Sequence, residues 1–159
     1  MSVYQAIIAA PFAYIGLRMA GEAVSALDYL PADTPEQPPT DAATARVVEQ
    51  LQVYFHDPHA PLTVPLLLEG TTFQQQVWEA LQAIPPGTVL TYGELARQLG
   101  TAARAIGGAC RTNPIPILIP CHRVVGRQGL GGYTGAVTGD SLGIKRWLLR
   151  HEGVDCPPA

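Results

Sequence analysis

A chain of 159 residues has room for one compact domain or two small ones, and 47% hydrophobic against 14% charged residues excludes a disordered chain. The net charge of −3 hides a division: residues 1–85 hold two basic against nine acidic side chains, residues 86–159 eight against four, so a phosphate backbone, if it meets either half, would meet the C-terminal one, while charge alone favours a merely dipolar surface. No apolar run is long enough to cross a bilayer, and no basic residue precedes the apolar stretch 6–10, which excludes a signal peptide and makes the cytoplasm the expected compartment.

The first thirty residues alternate. Ile15, Leu17 and Met19 share one face, and Ala20-Gly21-Glu22 reads as a turn into Val24-Ser25-Ala26-Leu27, the pattern of antiparallel strands. Pro31 to Pro39 reads as an exposed loop. Val48, Leu51 and Phe55 then recur at helical spacing, predicting a helix over 41–55 with Thr40 as its N-cap. His56 and His59 follow in a polar loop. Pro61 to Gly70 reads as a linker.

A second helix starts after Thr71 or Thr72, with Phe73, Val77, Trp78 and Leu81 on one face, and Ile84-Pro85-Pro86-Gly87 stops it. A helix-turn-helix candidate follows: Thr91 caps a short helix through Leu99, Gly100 turns, and Ala102 to Arg111 forms the second helix. That helix is rich in small residues, which suits either tight packing in the core or close approach of its backbone to another surface. A last helix, Ile144 to His151, closes at Gly153. The fold expected is mixed α/β (α+β): an N-terminal antiparallel sheet with a helix over 1–65, and a mostly helical domain with a winged-helix-like helix-turn-helix over 70–159.

The cysteines are Cys110, Cys121 and Cys156, with no CxxC pair, and the four histidines (His56, His59, His122, His151) are scattered. Neither a disulfide framework nor a metal site is expected. Cys110, among Gly and Ala on a helix, reads as a structural thiol, and Cys156 as incidental in a Pro-rich tail. Cys121 is different. Pro114, Pro116 and Pro120 stiffen the segment before it and deliver the thiol to the first turn of a short helix, whose N-terminus favours the thiolate. His122 is its neighbour in sequence, but adjacent helical residues do not face each other, so direct contact and a bridging water are both open routes for the thiol proton. A carboxylate would have to hold the imidazole in its tautomer, and Glu152 is the best candidate.

Pro120-Cys121-His122-Arg123-Val124 resembles the PCHRV motif of the O6-alkylguanine-DNA alkyltransferase family. The likeness continues in order through Phe73 with Val77-Trp78, Ile84-Pro85, Gly87-Thr88, Thr91-Tyr92, the run Ala103-Arg104-Ala105-Ile106-Gly107-Gly108-Ala109, Asn113-Pro114, Leu148-Leu149 and Glu152-Gly153, covering residues 70 to 154. The resemblance implies direct-reversal DNA repair: stoichiometric transfer of an alkyl group from O6-alkylguanine in duplex DNA to Cys121, with irreversible self-inactivation and no cofactor. O4-alkylthymine is a second substrate left open.

By the same likeness His122 is a base acting through water, Glu152 orients it, and Asn113 holds the turn around the site. Tyr92 helps rotate the target nucleotide out of the duplex. Backbone at Val124 and at Tyr133, Thr134 and Gly135 reads the guanine edge, with Lys145 bracing that loop. Arg104 fills the gap in the duplex, and the small residues Ala102, Ala103 and Gly107 let the helix approach the minor groove. Arg111, Arg123 and Arg127 are candidates for phosphate contacts or ordinary arginines, Arg127 being favoured because Gly126 and Gly129 suggest an exposed loop. The protein is expected to act as a monomer without a membrane partner. The stretch from Tyr133 to Lys145 is longer than the usual family loop. The rivals are a non-catalytic lesion-binding relative, a winged-helix regulator and a cysteine hydrolase.

Overall fold

The computed structural model describes residues 3–127, 129 and 141–155, which fall into two compact units that part between Leu68 and Glu69. In the first unit β1 (Ala6–Ala9), β2 (Tyr14–Ala20) and β3 (Ala23–Leu30) form an antiparallel meander in sequence order. Ile8 lies opposite Ile15, and Leu17 opposite Leu27. Alternation along a strand sends Ile15 and Leu17 into the core. Met19 was expected on the same face but is only half-buried. The register shifts between Arg18 and Met19, and such an irregularity turns the side chains beyond it. Gly21, at φ 61°, makes the tight turn that a residue with a Cβ would resist.

The edges of the meander are covered by segments without a strand pattern. Gln37, in the expected loop, exchanges two backbone hydrogen bonds of 2.9 Å with Ile7. The expected linker is likewise paired: Val24 N donates to Pro65 O and Leu67 N to Val24 O, both at 2.9 Å. An unpaired edge is a template for unwanted pairing, and these contacts occupy both edges. Helix α1 runs Ala42–His56, and its N-cap is Asp41, not Thr40. Asp41 Oδ1 accepts from Thr44 N at 2.8 Å, while Thr40 N is spent on Gln5 O. Val47, Val48, Leu51 and Tyr54 are its buried face. Phe55 packs edge-on against Phe12 at 5.9 Å, half-buried.

In the second unit α2 (Thr72–Gln82) opens with a capping box between Thr71 and Gln74, and buries Val77, Trp78 and Leu81. The Trp78 indole donates to Ala109 O at 2.9 Å, tying α2 to α4. After the Pro85-Pro86 stop come β4 (Leu90–Thr91), α3 (Tyr92–Leu99) and α4 (Ala103–Arg111). Thr91 and Glu94 cap α3 reciprocally, and Gly100, at φ 68°, is the left-handed residue that ends it. Ala102, expected to open α4, is its N-cap. A single 3₁₀ turn, Cys121–Arg123, precedes β5 (Val124–Val125), which pairs in parallel with β4. Helix α5 is Ser141–His151. Among the described residues no helix is long and apolar enough to cross a membrane.

Candidate active site

The nine residues between α4 and the 3₁₀ turn, 112–120, make few regular backbone bonds, so side chains must satisfy them. Asn113 does this. Its Nδ2 donates to Ile119 O at 2.8 Å, and its Oδ1 accepts from Ile115 N at 2.9 Å. Ile119 O also accepts from Cys121 N at 2.8 Å. At the apex Ile117 is buried with φ at 75°, a conformation that costs a β-branched residue on the order of 1–3 kcal/mol. The prolines and Asn113 thus hold a strained loop in one shape, and Cys121 leaves it at a fixed position, 2% exposed.

His122 is fully buried. Its Nε2 lies 3.0 Å from Glu152 Oε2. A carboxylate accepts only, so Nε2 carries the proton and Nδ1 is the acceptor, a tautomer assigned from the network. Among the described residues Nδ1 has no hydrogen-bond partner, so the direct Cys121–His122 bond left open by sequence is not made. Burial holds the imidazole below its ordinary pKa, although the Glu152 carboxylate pulls the other way. The ring is therefore neutral, with a basic nitrogen unspent.

Glu152, 3% exposed, is held in turn by Arg123: Nε donates to Oε1 at 2.9 Å and Nη2 to Oε2 at 2.7 Å. Arg123 Nη1 donates to Ile84 O. Arg123 is thus a buried-pair arginine, and the phosphate role weighed for it is excluded by its fork being filled from inside. It is the residue of this network that sequence reasoning did not place. Its position in the motif was visible, but its partner lies 29 residues away.

Lys145 is fully buried and donates from Nζ to Val124 O at 2.8 Å. Burial brings its pKa down to about 8, while negative charge on the Cys121 or Cys110 sulfur would act to raise it. Its ammonium sits 5.7 Å from the Tyr92 ring centroid. Tyr92, at the start of α3, has its hydroxyl pKa pushed up by burial and then by the same two sulfur charges, so its proton stays on. Cys110 is buried and its thiol is pushed up to about 12, chiefly by desolvation. Cys121, Tyr92, Lys145 and Val124 therefore share one neighbourhood. Tyr133, Thr134 and Gly135, and with them the expected bracing of that loop by Lys145, lie outside the described residues, as does Cys156.

On α4, Ala102, Ala103 and Arg104 are exposed and Gly107 is half-buried, while Ile106, Ala109 and Cys110 face the core. The two readings of its small residues separate here. A Cβ at Gly107 would meet only Arg111 Nη1, at 3.6 Å, and one at Gly108 only Arg111 Nη2, at 3.9 Å. Core packing demands neither glycine. Arg127 is exposed and lines a groove of about 1060 Å³ with Tyr92, Gly93, Arg97, Ala103 and Gly126. Gly93 and Arg97 carried no motif and were not singled out by sequence.

The family model for the 6-O-methylguanine DNA methyltransferase DNA binding domain matches residues 72–154. A Mycobacterium tuberculosis methylated-DNA–protein-cysteine methyltransferase is 48% identical over 122 residues, 75% of this chain and 71% of that protein. The chain belongs to the 6-O-methylguanine DNA methyltransferase family. Another methyltransferase relative, from Salmonella typhimurium, is 59% identical over 87 residues, 53% of this chain and 48% of its own length. The chain thus aligns with only about half the length of the first curated relatives it matches. Among solved structures, the Mycobacterium tuberculosis O6-methylguanine methyltransferase covers 96% of this chain, and 94% of it is covered in return, at TM-score 0.79 and 38% identity. The Mycobacterium tuberculosis protein in complex with DNA aligns at TM-score 0.78 over 92% of this chain and 90% of that one, at 39% identity. These likenesses run through both units and bear out the mixed α/β fold expected of the family.

Proposed function

We propose that this methyltransferase-family chain repairs duplex DNA by moving an alkyl group from guanine O6 to Cys121, once per molecule. The observation that carries the reading is the buried relay beside the thiol: a neutral His122 with an unspent Nδ1, oriented by Glu152, which Arg123 holds in a fork. The thiol proton passes to Nδ1 through a bridging water. The thiolate attacks the alkyl carbon, an S–C bond forms as the C–O6 bond breaks, and the electron pair leaves on guanine. Tyr92, kept protonated by burial, supplies the proton that the leaving base takes up, and the relay returns the thiol proton to Tyr92. The thioether is stable, so the protein is consumed. The displacement uses no metal or organic cofactor.

Arg104 enters the gap left by the extruded nucleotide, and Ala102, Ala103 and Gly107 allow α4 into the minor groove. Backbone at Val124 reads the base edge, its carbonyl oriented by Lys145. Asn113 holds the loop that aims the sulfur. We assign these tasks to residues 70–159, with residues 1–65 a separate sheet domain, the protein working as a monomer in the cytoplasm. O4-alkylthymine offers the same leaving-group chemistry and is the second substrate to try.

The test is intact mass after incubation with a duplex carrying O6-methylguanine. One added methyl group, mapped to Cys121 and matched mole for mole by lost lesion, is expected, and Cys121→Ser should gain none while still binding DNA. A wild-type mass that does not change, or repair that survives in Cys121→Ser, overturns the assignment.

A further inference from the structure

Three arginines of the molecule are spent on carboxylates: Arg18 on Asp28, Arg46 on Glu22 and Arg123 on Glu152. Arg97 and Arg127 are exposed and make no ion pair among the described residues, and both line the same groove of about 1060 Å³. Small residues, Gly93, Ala103 and Gly126, line it between them. A Cβ at Gly93 would meet nothing nearer than Thr91 Oγ1 at 3.9 Å, so the chain does not need a glycine there for its own packing. One acid is present: Glu94 lines the groove too, but its carboxylate is turned to the α3 cap, where it accepts from Thr91 N at 2.8 Å. Two guanidiniums against one committed carboxylate leave the groove cationic.

Tyr92 links this groove to the chemistry, for it lines the groove and also feels the charge of the Cys121 sulfur. We infer that Arg97 and Arg127 hold the backbone phosphates of the lesion-bearing strand where it flanks the extruded nucleotide, so that the strand bends past Tyr92 toward the thiol. This deepens, and rests on, the alkyl-transfer reading. Arg97 is thereby a DNA-binding residue of α3, distinct from the α4 residues already assigned. Guanidinium forks suit phosphate oxygens, and a groove lined in part by small residues lets the backbone lie close.

The experiment measures duplex affinity against salt for the full chain, with O6-methylguanine DNA that is either native or carries neutral methylphosphonate linkages on either side of the lesion. Each arginine that neutralises a phosphate contributes a slope of about −0.9 in log K against log salt. Arg97→Ala and Arg127→Ala should each flatten the slope by about one unit, and Arg97→Lys should keep it. The neutral linkages should weaken wild-type binding several-fold and add nothing further to the double variant Arg97→Ala/Arg127→Ala. Arg150→Ala, an exposed arginine on α5 outside the groove, should leave the slope unchanged. If wild-type protein takes up the methyl group yet both alanine variants keep the wild-type slope, or the neutral linkages weaken the double variant as much as the wild type, the strand does not lie here. Wild-type protein that takes up no methyl group would instead sink the alkyl-transfer reading.

Discussion

His122 and Lys145 are both buried cations in waiting, and each ties stability to pH at opposite ends of the scale. Burial lowers the His122 pKa in the folded state, so below the ordinary value of 6.5 the unfolded chain binds more protons than the folded one. Its contribution is therefore complete above pH 6.5 and is lost as pH falls below it. The urea midpoint should drop between pH 7 and pH 5.5, and drop less in His122→Gln. Lys145 falls from 10.5 to about 8 on folding, so between those values the folded protein has shed a proton that the unfolded chain keeps. Stability from this group should rise with pH across that window, by up to roughly 3 kcal/mol at 1.36 kcal/mol per pKa unit. Lys145→Met should remove that rise, as read from urea midpoints at pH 7.5 and pH 10. A rise of equal size in the variant would mean that another group titrates there.

Helix α4 separates a structural demand from a functional one. Glycine within a helix costs roughly 0.5–1 kcal/mol against alanine, and at Gly107 the added methyl would meet only Arg111 at 3.6 Å. Gly107→Ala should therefore raise the thermal midpoint while weakening duplex binding. A variant more stable and equally tight would show that α4 does not lie against the groove. The loop after α4 makes the opposite case. Asn113→Ala would leave the buried Ile115 N–H without its acceptor, at roughly 1–3 kcal/mol, and should slow methyl transfer by releasing Cys121. Denaturant midpoints and single-turnover rates check the pair.

These elements also show what was legible in the chain. Thr91 with Glu94, Gly100, and Asn113 with its prolines act within a few residues of themselves, so their pattern is a local instruction that can be read from sequence. The PCHRV stretch likewise carried the site. The pairing of Gln37 with Ile7 and of Leu66 with Val24 was not legible, because an edge strand made of two or three bonds has no periodicity. The partner of Arg123 was hidden for a related reason. An arginine in a motif has the same letter whether its fork meets a phosphate or a carboxylate 29 residues on, and only the closing of α5 onto the 3₁₀ turn decides. The cap of α1 moved by one residue because Asp41 Oδ1 takes the Thr44 N–H, and two adjacent residues that both suit a cap give the sequence no means of choosing between them.

For the whole molecule the charge arithmetic makes a prediction of sign. Residues 1–68 hold two basic and seven acidic side chains, and residues 69–159 eight and six, so the −3 of the chain is the sum of an acidic unit and a basic one. If the net charge governed approach to DNA, added salt would screen repulsion and strengthen binding. If the basic unit governs, salt must weaken it, because counterions released from neutralised phosphates drive the association. Arg97, Arg104 and Arg127 are exposed and make no ion pair among the described residues. With Arg104 in the duplex gap proposed for it, Arg97 and Arg127 are each available to one phosphate, and two such contacts give a slope of about −2 in log K against log salt. That slope should persist in an acidic-unit variant such as Asp33→Asn/Glu36→Gln, whose side chains lie in the other unit, while affinity at low salt rises modestly as long-range repulsion is removed. A slope near zero would mean that Arg97 and Arg127 do not meet phosphates together. A positive one would mean that the average charge, not its division between the units, decides how this protein meets its partner.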